Sequence, residues 1–204
     1  MNSESIVPTK GMLGIKVIRA GRPSLMWRIT NILRLNYLLG WLGYHVFSPI
    51  ANKFGMMTAK GKLEAMLIKA DGEKVNYGVL GYRSITTAFV NFVVDQLQTE
   101  TSVFGDFKYH DSGVGTTAEN ITDTAMETTD GESRATGSQT ESAANAYRSV
   151  GTISYTSTKA ITEHGLFNDV SAGTLMDRTV FSAVNVISGD SIQFTYTVTV
   201  SAGG

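Results

Sequence analysis

From Ile192 to Val200 every second residue is apolar: Ile192, Phe194, Tyr196, Val198 and Val200, with Gln193, Thr195, Thr197 and Thr199 between them. A period of two over nine residues fits only an extended strand with one face buried and the other wetter. Gly189-Asp190 supplies the turn before it. A strand of this kind needs partners, and the chain offers several. Tyr147–Tyr155, Ala160–Phe167 and Thr174–Val186 are β-branched or aromatic runs bounded by small and polar residues. Val103–His110 is a further strand candidate. The spacing predicts an antiparallel β-sandwich or small barrel. Composition agrees: 17% of residues are charged, 21 are glycine and only 3 are proline. That suits strands joined by glycine-bearing turns and excludes a coiled coil, a collagen-like rod or a disordered tail.

In the first half, Leu63, Ala65 and Leu67 alternate, Asp71-Gly72 comes next, and Val75, Tyr77 and Val79 alternate again. Asp-Gly between two alternating runs predicts a hairpin. Ile85, Phe89, Phe92, Val93 and Gln96-Leu97 fit one face of a helix over residues 85–98, with Ser84 or Thr86 as its cap. Residues 111–146 are polar and rich in Gly, Ser and Thr, with Asp130-Gly131 as a turn. A structureless loop of that length is unusual. It is expected to be paired at an edge or ordered by a neighbour.

Residues 59–204 therefore read as a β-sandwich body carrying the 85–98 helix, and residues 1–58 as an apolar, basic arm. The first 24 residues are broken by Gly11, Gly14, Gly21 and Pro23, with one short apolar piece at Ile15–Ile18. Ser24 then precedes Leu25-Met26-Trp27, which reads as a helix start. The arm is expected to be partly helical to about Phe47.

Charge divides the chain sharply. Met1 to Leu63 holds nine basic residues and one acid, Glu4, whereas Glu64 to Gly204 holds eight basic residues and seventeen acids. A basic arm on an acidic body favours acidic partners: nucleic acid, anionic lipid, or an acidic patch on another subunit, including another copy of this chain. The uncharged run Leu35–Asn52 is 18 residues, close to what spans a membrane. Asn36, Gly40, Gly43, His45, Ser48 and Pro49 interrupt it. The readings left are an interfacial helix or, favoured here, a helix buried against the body or a neighbouring subunit. Arg22, Trp27, Arg28, Arg34, Tyr37, Leu39, Trp41 and Tyr44 are the residues expected at a partner interface.

No catalytic or metal site is expected. There is no cysteine, so thiol catalysis, disulfides and cysteine-bound metals are excluded. His45, His110 and His164 are far apart with no shared ligand spacing. Adjacent strand residues point to opposite faces, so His110 and Asp111 are poorly placed to hold one ion, and Glu163-His164 has the same problem. Gly113-Val114-Gly115-Thr116-Thr117 lacks the lysine of a phosphate loop, and no Gly-x-Ser-x-Gly elbow occurs. The chain is expected to be no enzyme and to need no cofactor. The start, Met1-Asn2-Ser3-Glu4-Ser5, is polar and acidic, unlike a secretory signal, so folding in a reducing cytoplasm is expected.

Several stretches carry a family likeness: Thr-Ala-Phe-Val-Asn-Phe-Val-Val-Asp-Gln-Leu-Gln (87–98), Gly-Asp-Phe-Lys-Tyr-His-Asp-Ser-Gly-Val-Gly-Thr-Thr-Ala-Glu (105–119), Asp123-Thr124-Ala125, Ala-Ile-Thr-Glu-His-Gly-Leu-Phe (160–167), Ala-Gly-Thr-Leu-Met-Asp-Arg (172–178) and Gly-Asp-Ser-Ile-Gln-Phe-Thr-Tyr-Thr (189–197). Together, across residues 84–200, they resemble small β-rich structural proteins of tailed bacteriophages. The resemblance implies a virion protein made in the bacterial host cytoplasm, with no catalytic residues. It implies a capsid decoration or cement subunit whose arm is stapled to the major capsid protein or another virion subunit, in a homo-oligomer with a trimer as first expectation. A tail or fibre-base subunit is the alternative within a particle. A membrane- or nucleic-acid-associated module using the arm is the rival class, with neither membrane nor nucleic acid favoured as partner.

Overall fold

The computed structural model describes residues 21–98 and 106–203. Strand makes up 44% against 22% helix, so the chain is mainly β. One sheet holds β1 (Thr58–Ile68), β2 (Lys74–Ser84), β5 (Ser138–Ala143), β6 (Ala146–Ser154) and β9 (Ser191–Ser201), in the order β2-β1-β9-β6-β5. The other holds β3 (Tyr109–Gly113), β4 (Ala135–Thr136), β7 (Lys159–Phe167) and β8 (Leu175–Val186), in the order β4-β3-β7-β8. All pairings within the two sheets are antiparallel.

The strictly alternating strand, β9, sits at the centre of the first sheet between β1 and β6. Its apolar face points at the second sheet: Ile192, Phe194 and Tyr196 are fully buried, and the Phe194 ring lies 6.4 Å from Phe181 of β8. Leu63, Ala65 and Leu67 of β1 and Ile161, Leu166 and Val184 of the facing sheet complete this core.

The expected hairpin forms, with Gly72 at φ 85° in the turn and Asp71 Oδ1 accepting from the Glu73 amide at 2.9 Å. Its second strand departs from simple alternation. Two bulges give β2 one extra residue opposite Leu63/Glu64 and another opposite Ala65/Met66. Each extra residue reverses the facing of the strand beyond it. Leu80 therefore enters the core, while Val75, Tyr77 and Val79 are only half-buried.

The expected helix is α4 (Thr87–Gln98). Thr86 caps it, its hydroxyl accepting from the Phe89 amide at 3.2 Å while donating to the Leu175 carbonyl at 2.6 Å. The Phe89 and Phe92 rings each make a T-shaped contact with Phe107, centres 4.9 and 5.1 Å apart. Leu97, expected on the buried face, is 81% exposed. Of the strand expected over 103–110, residues 103–105 lie outside the described residues, and pairing begins only at Tyr109.

The polar stretch after β3 is ordered from within the chain. Part of it is paired as β4 and β5. The rest is tied to the buried Glu163 carboxylate, which accepts from the amides of Gly115, Thr128 and Glu127 at 3.1, 2.8 and 3.2 Å. Arg178 balances that carboxylate at 2.7 Å and also pairs with Asp123 and Glu127 at 3.1 Å each.

Candidate functional site

Residues 25–53 form α1 (Leu25–Ile32), α2 (Leu35–Leu42), a π-helical turn (Gly43–Phe47) and α3 (Ser48–Lys53). The Ser24 side chain caps α1 at the Trp27 amide, as the sequence predicts. No helix among the described residues is long and apolar enough to cross a membrane. These helices form a layer over the corner where β2 of one sheet meets β8 of the other. Both strands end their sheets there, so their outer backbone groups need partners.

The layer supplies them. Asn31 is only 2% exposed; its Nδ2 donates to the Leu80 carbonyl at 3.2 Å and its Oδ1 accepts from the Ser182 amide at 3.1 Å. One side chain thus bridges the two sheets. Trp27 Nε1 donates to the carbonyls of Ser182 and Ala183 at 3.1 and 2.9 Å, and its ring meets Tyr77 edge-on at 4.6 Å. Arg83 adds bonds to the carbonyls of Asn36, Tyr82 and Val180 and an ion pair with Glu119. Helix α2 lies so close to β2 that a Cβ on Gly40 would stand 2.0 Å from the Tyr82 carbonyl oxygen. Just before α1, Gly21 pairs in parallel with Val75 and extends the β2 edge. The expected division at residue 58 therefore does not coincide with a break in packing.

The eight residues expected at a partner interface divide into two groups. Trp27, Tyr37 and Tyr44 turn inward. Tyr37 and Tyr44 meet the Tyr82 ring at 5.8 and 4.9 Å, and Lys60 Nζ lies 4.5 Å from the Tyr44 ring centre. Burial raises the Tyr37 phenol above its ordinary pKa. Arg34 is half-buried, and desolvation lowers its pKa against the opposing pull of Glu119. Arg22, Arg28, Leu39 and Trp41 face outward, Leu39 at 55% and Trp41 at 42% exposure.

They belong to a larger outward face that the sequence reading did not single out. Leu25, Met26, Leu33, Leu35, Phe47, Phe54 and Met57 are each more than 60% exposed. With their neighbours between 25 and 57 they leave a run of large apolar side chains open to solvent, unlike the singly scattered apolar residues of an ordinary surface. This stretch contains Arg22, Arg28, Arg34 and Lys53 nearby and no acid between 21 and 57.

A cleft of about 450 Å³ lies under α2 and the π-helical turn, with Lys60, Tyr82 and Arg83 among its lining. Its cations are already engaged: Lys60 donates to the Tyr44 carbonyl at 3.3 Å, Arg83 is paired with Glu119, and Arg178 with Glu163. The other polar cluster is buried between the sheets. His110 Nδ1 and His164 Nε2 are hydrogen-bonded at 2.9 Å, and His110 Nε2 pairs with Ser149 Oγ at 2.8 Å. Two histidines distant in sequence thus meet, because they lie diagonally across the β3–β7 pairing on one face. Desolvation lowers both pKa values, His110 to about 3, so both rings are neutral at pH 7. Among the described residues no group of three or more His, Cys, Asp or Glu could hold a metal ion.

The chain matches no protein-family model, no curated protein and no solved structure.

Proposed function

We propose that this chain is a non-enzymatic structural subunit of a tailed-phage particle, a capsid decoration or cement protein seated on a neighbouring virion protein through the outward face of its helical layer. The observation that carries the reading is that face. Leucines, methionines and phenylalanines stay exposed on a layer whose other side is fixed to the sandwich by Asn31 and Trp27 and by the bond from Arg83 of β2 to the Asn36 carbonyl. Such a face is held rigidly in place, so a partner would not have to order it first. Its charged residues are three arginines and one lysine. Protein interfaces enrich arginine and deplete lysine and acids, and this balance suits a protein partner better than a polybasic lipid contact. The resemblance over residues 84–200 supplies the virion setting.

Mass spectrometry of gradient-purified particles tests the setting, and the chain is expected among the stoichiometric components. Incorporation of variants tests the face. Leu39→Asp with Trp41→Asp should abolish incorporation, since a charge buried at an apolar contact is costly. Arg22→Gln with Arg28→Gln should weaken it only modestly, as rim charges do. Normal incorporation of the aspartate variant, or absence of the chain from particles, would contradict the proposal. An arm for nucleic acid would reverse the order, with the arginine variant failing first and binding falling steeply with salt.

A further inference from the structure

We propose that the outer face of the five-stranded sheet carries an oxyanion site, built by Arg148 of β6, Thr197 of β9 and Lys62 of β1 and suited to a phosphate group. The site lies apart from the outward face of the helical layer and does not depend on that face's proposed role.

The strand pattern brings the three residues together. Leu63, Ser149 and Tyr196 point between the sheets, so their chain neighbours Lys62, Arg148 and Thr197 point out. Thr197 stands opposite Lys62 on one side and opposite Arg148 on the other. The three form one row across the sheet, with the backbones of the two cations roughly 10 Å apart, two strand spacings. A tetrahedral anion seated over the threonine is within reach of both long side chains.

Two of these residues hold polar atoms that the fold leaves unpaired. Thr197 is only 8% exposed, and its hydroxyl has no hydrogen-bond partner. Arg148 Nε is buried and likewise has none, and the guanidinium makes no ion pair among the described residues. Buried polar atoms are nearly always paired, so two of them on opposed residues of one row mark the place of a missing partner. That partner has to accept hydrogen bonds from both and match a cation on each side. A phosphate does so with three or more acceptor oxygens and negative charge. Lys62 and Arg148 are long and unbranched, and turning their tips onto an anion opens the hydroxyl between them.

The surrounding charge agrees. Lys60, Lys62 and Arg148 share this part of the face with one acid, Glu64. Lys60 is taken up by Tyr44, through the carbonyl and the ring. Lys62 Nζ holds Glu64 at 2.9 Å, with both side chains partly exposed. An exposed pair of this kind is weak, so a dianion between Lys62 and Arg148 competes with it.

Calorimetric titration of the full-length protein with inorganic phosphate at low salt tests the site. One phosphate per chain is expected, with a Kd of about 1 mM or below. Arg148→Gln removes a charge-assisted bond and should weaken binding about tenfold or more, and Thr197→Val keeps the shape and should weaken it about threefold. Arg22→Gln removes a cation from the helical layer instead and should leave binding unchanged. All three should keep the wild-type melting temperature. Should Arg148→Gln lower it, Arg148→Lys carries the test, since it retains the charge, loses the planar fork and should bind at an intermediate strength. Glucose 6-phosphate separates the sources of the group: equal or weaker binding names free phosphate, and binding about tenfold tighter names phosphate carried on a sugar. Absence of saturable binding, binding indifferent to Arg148→Gln, an equal loss with Arg22→Gln, or ordered water alone over Thr197 in phosphate-soaked crystals would each overturn the proposal.

Discussion

Asn31 carries more of the architecture than its place in an apolar run suggests. It joins a β2 carbonyl to a β8 amide where the two sheet edges meet. Asn31→Leu keeps the branched outline, at a larger volume, and removes both bonds. A loss of about 2–4 kcal/mol is expected, since each stranded polar group costs roughly 1–3 kcal/mol. Urea unfolding checks it, and a loss under about 0.5 kcal/mol would show the bridge to be idle. The histidine pair sets the response to acid. Both folded-state pKa values lie below the ordinary 6.5, so the unfolded chain binds more protons as pH falls. The stability they contribute is full above pH 6.5 and is lost as pH falls toward about 3. Asp177 works the other way: burial raises its pKa from 3.8 to about 7, so its contribution is lost as pH rises through that range. Burial also raises the Asp111 carboxyl, against the pull of Arg134; the histidine pair acts in the opposite sense, and if it dominates the urea midpoint should fall between pH 7 and pH 5. Replacing His164 by Gln should flatten that slope; an unchanged slope would remove the pair as its source.

At the level of elements, strands are easier to read from sequence than the faces of helices. In β9 the period of two leaves one assignment, and Ile192, Phe194 and Tyr196 are buried as that period requires. In β2 the same reasoning places Val79 with Val75 and Tyr77, but the bulges bring Leu80 into the core. A bulge depends on the partner strand's register, which one strand's sequence does not contain. Residues 25–47 are apolar nearly all round, so periodicity cannot say which side meets the body. Trp27 and Tyr44 face inward because their polar tips or faces find partners on β8 and at Lys60. Leu39 and Trp41, on the same helix as the inward Tyr37, face out. The His110–His164 contact is hidden for a related reason, since 54 residues separate them and only the β3–β7 register unites them. The layer's role as a seal leads to a prediction for the element itself. Deleting residues 1–58 removes Trp27 and Asn31 and opens the edges of β2 and β8. The truncated chain should lose cooperative thermal unfolding or aggregate, as exposed sheet edges do. A monodisperse, cooperatively melting 59–204 fragment would show the body to be independent.

The whole molecule is a sandwich with one corner closed by its own helices and with the outer side of those helices left apolar. The inner side of the helices is bonded to β2 and β8, while the outer side is open to solvent in the single chain. Burying the outer surface against a partner would be favourable at about 25 cal/mol per Å² of apolar area, most of it offset by the cost of association. Net charge of −1 hides the polarity of the molecule, with cations on the layer and acids on the body. That polarity gives docking a direction, while apolar burial gives it strength. Electron cryomicroscopy of the intact particle tests this account most directly. Density for this chain is expected in which Leu39 and Trp41 lie within contact distance of another protein chain and the 25–57 face is closed to solvent. A particle in which that face points to solvent, lipid or DNA, with the sandwich attached through another surface, would contradict it.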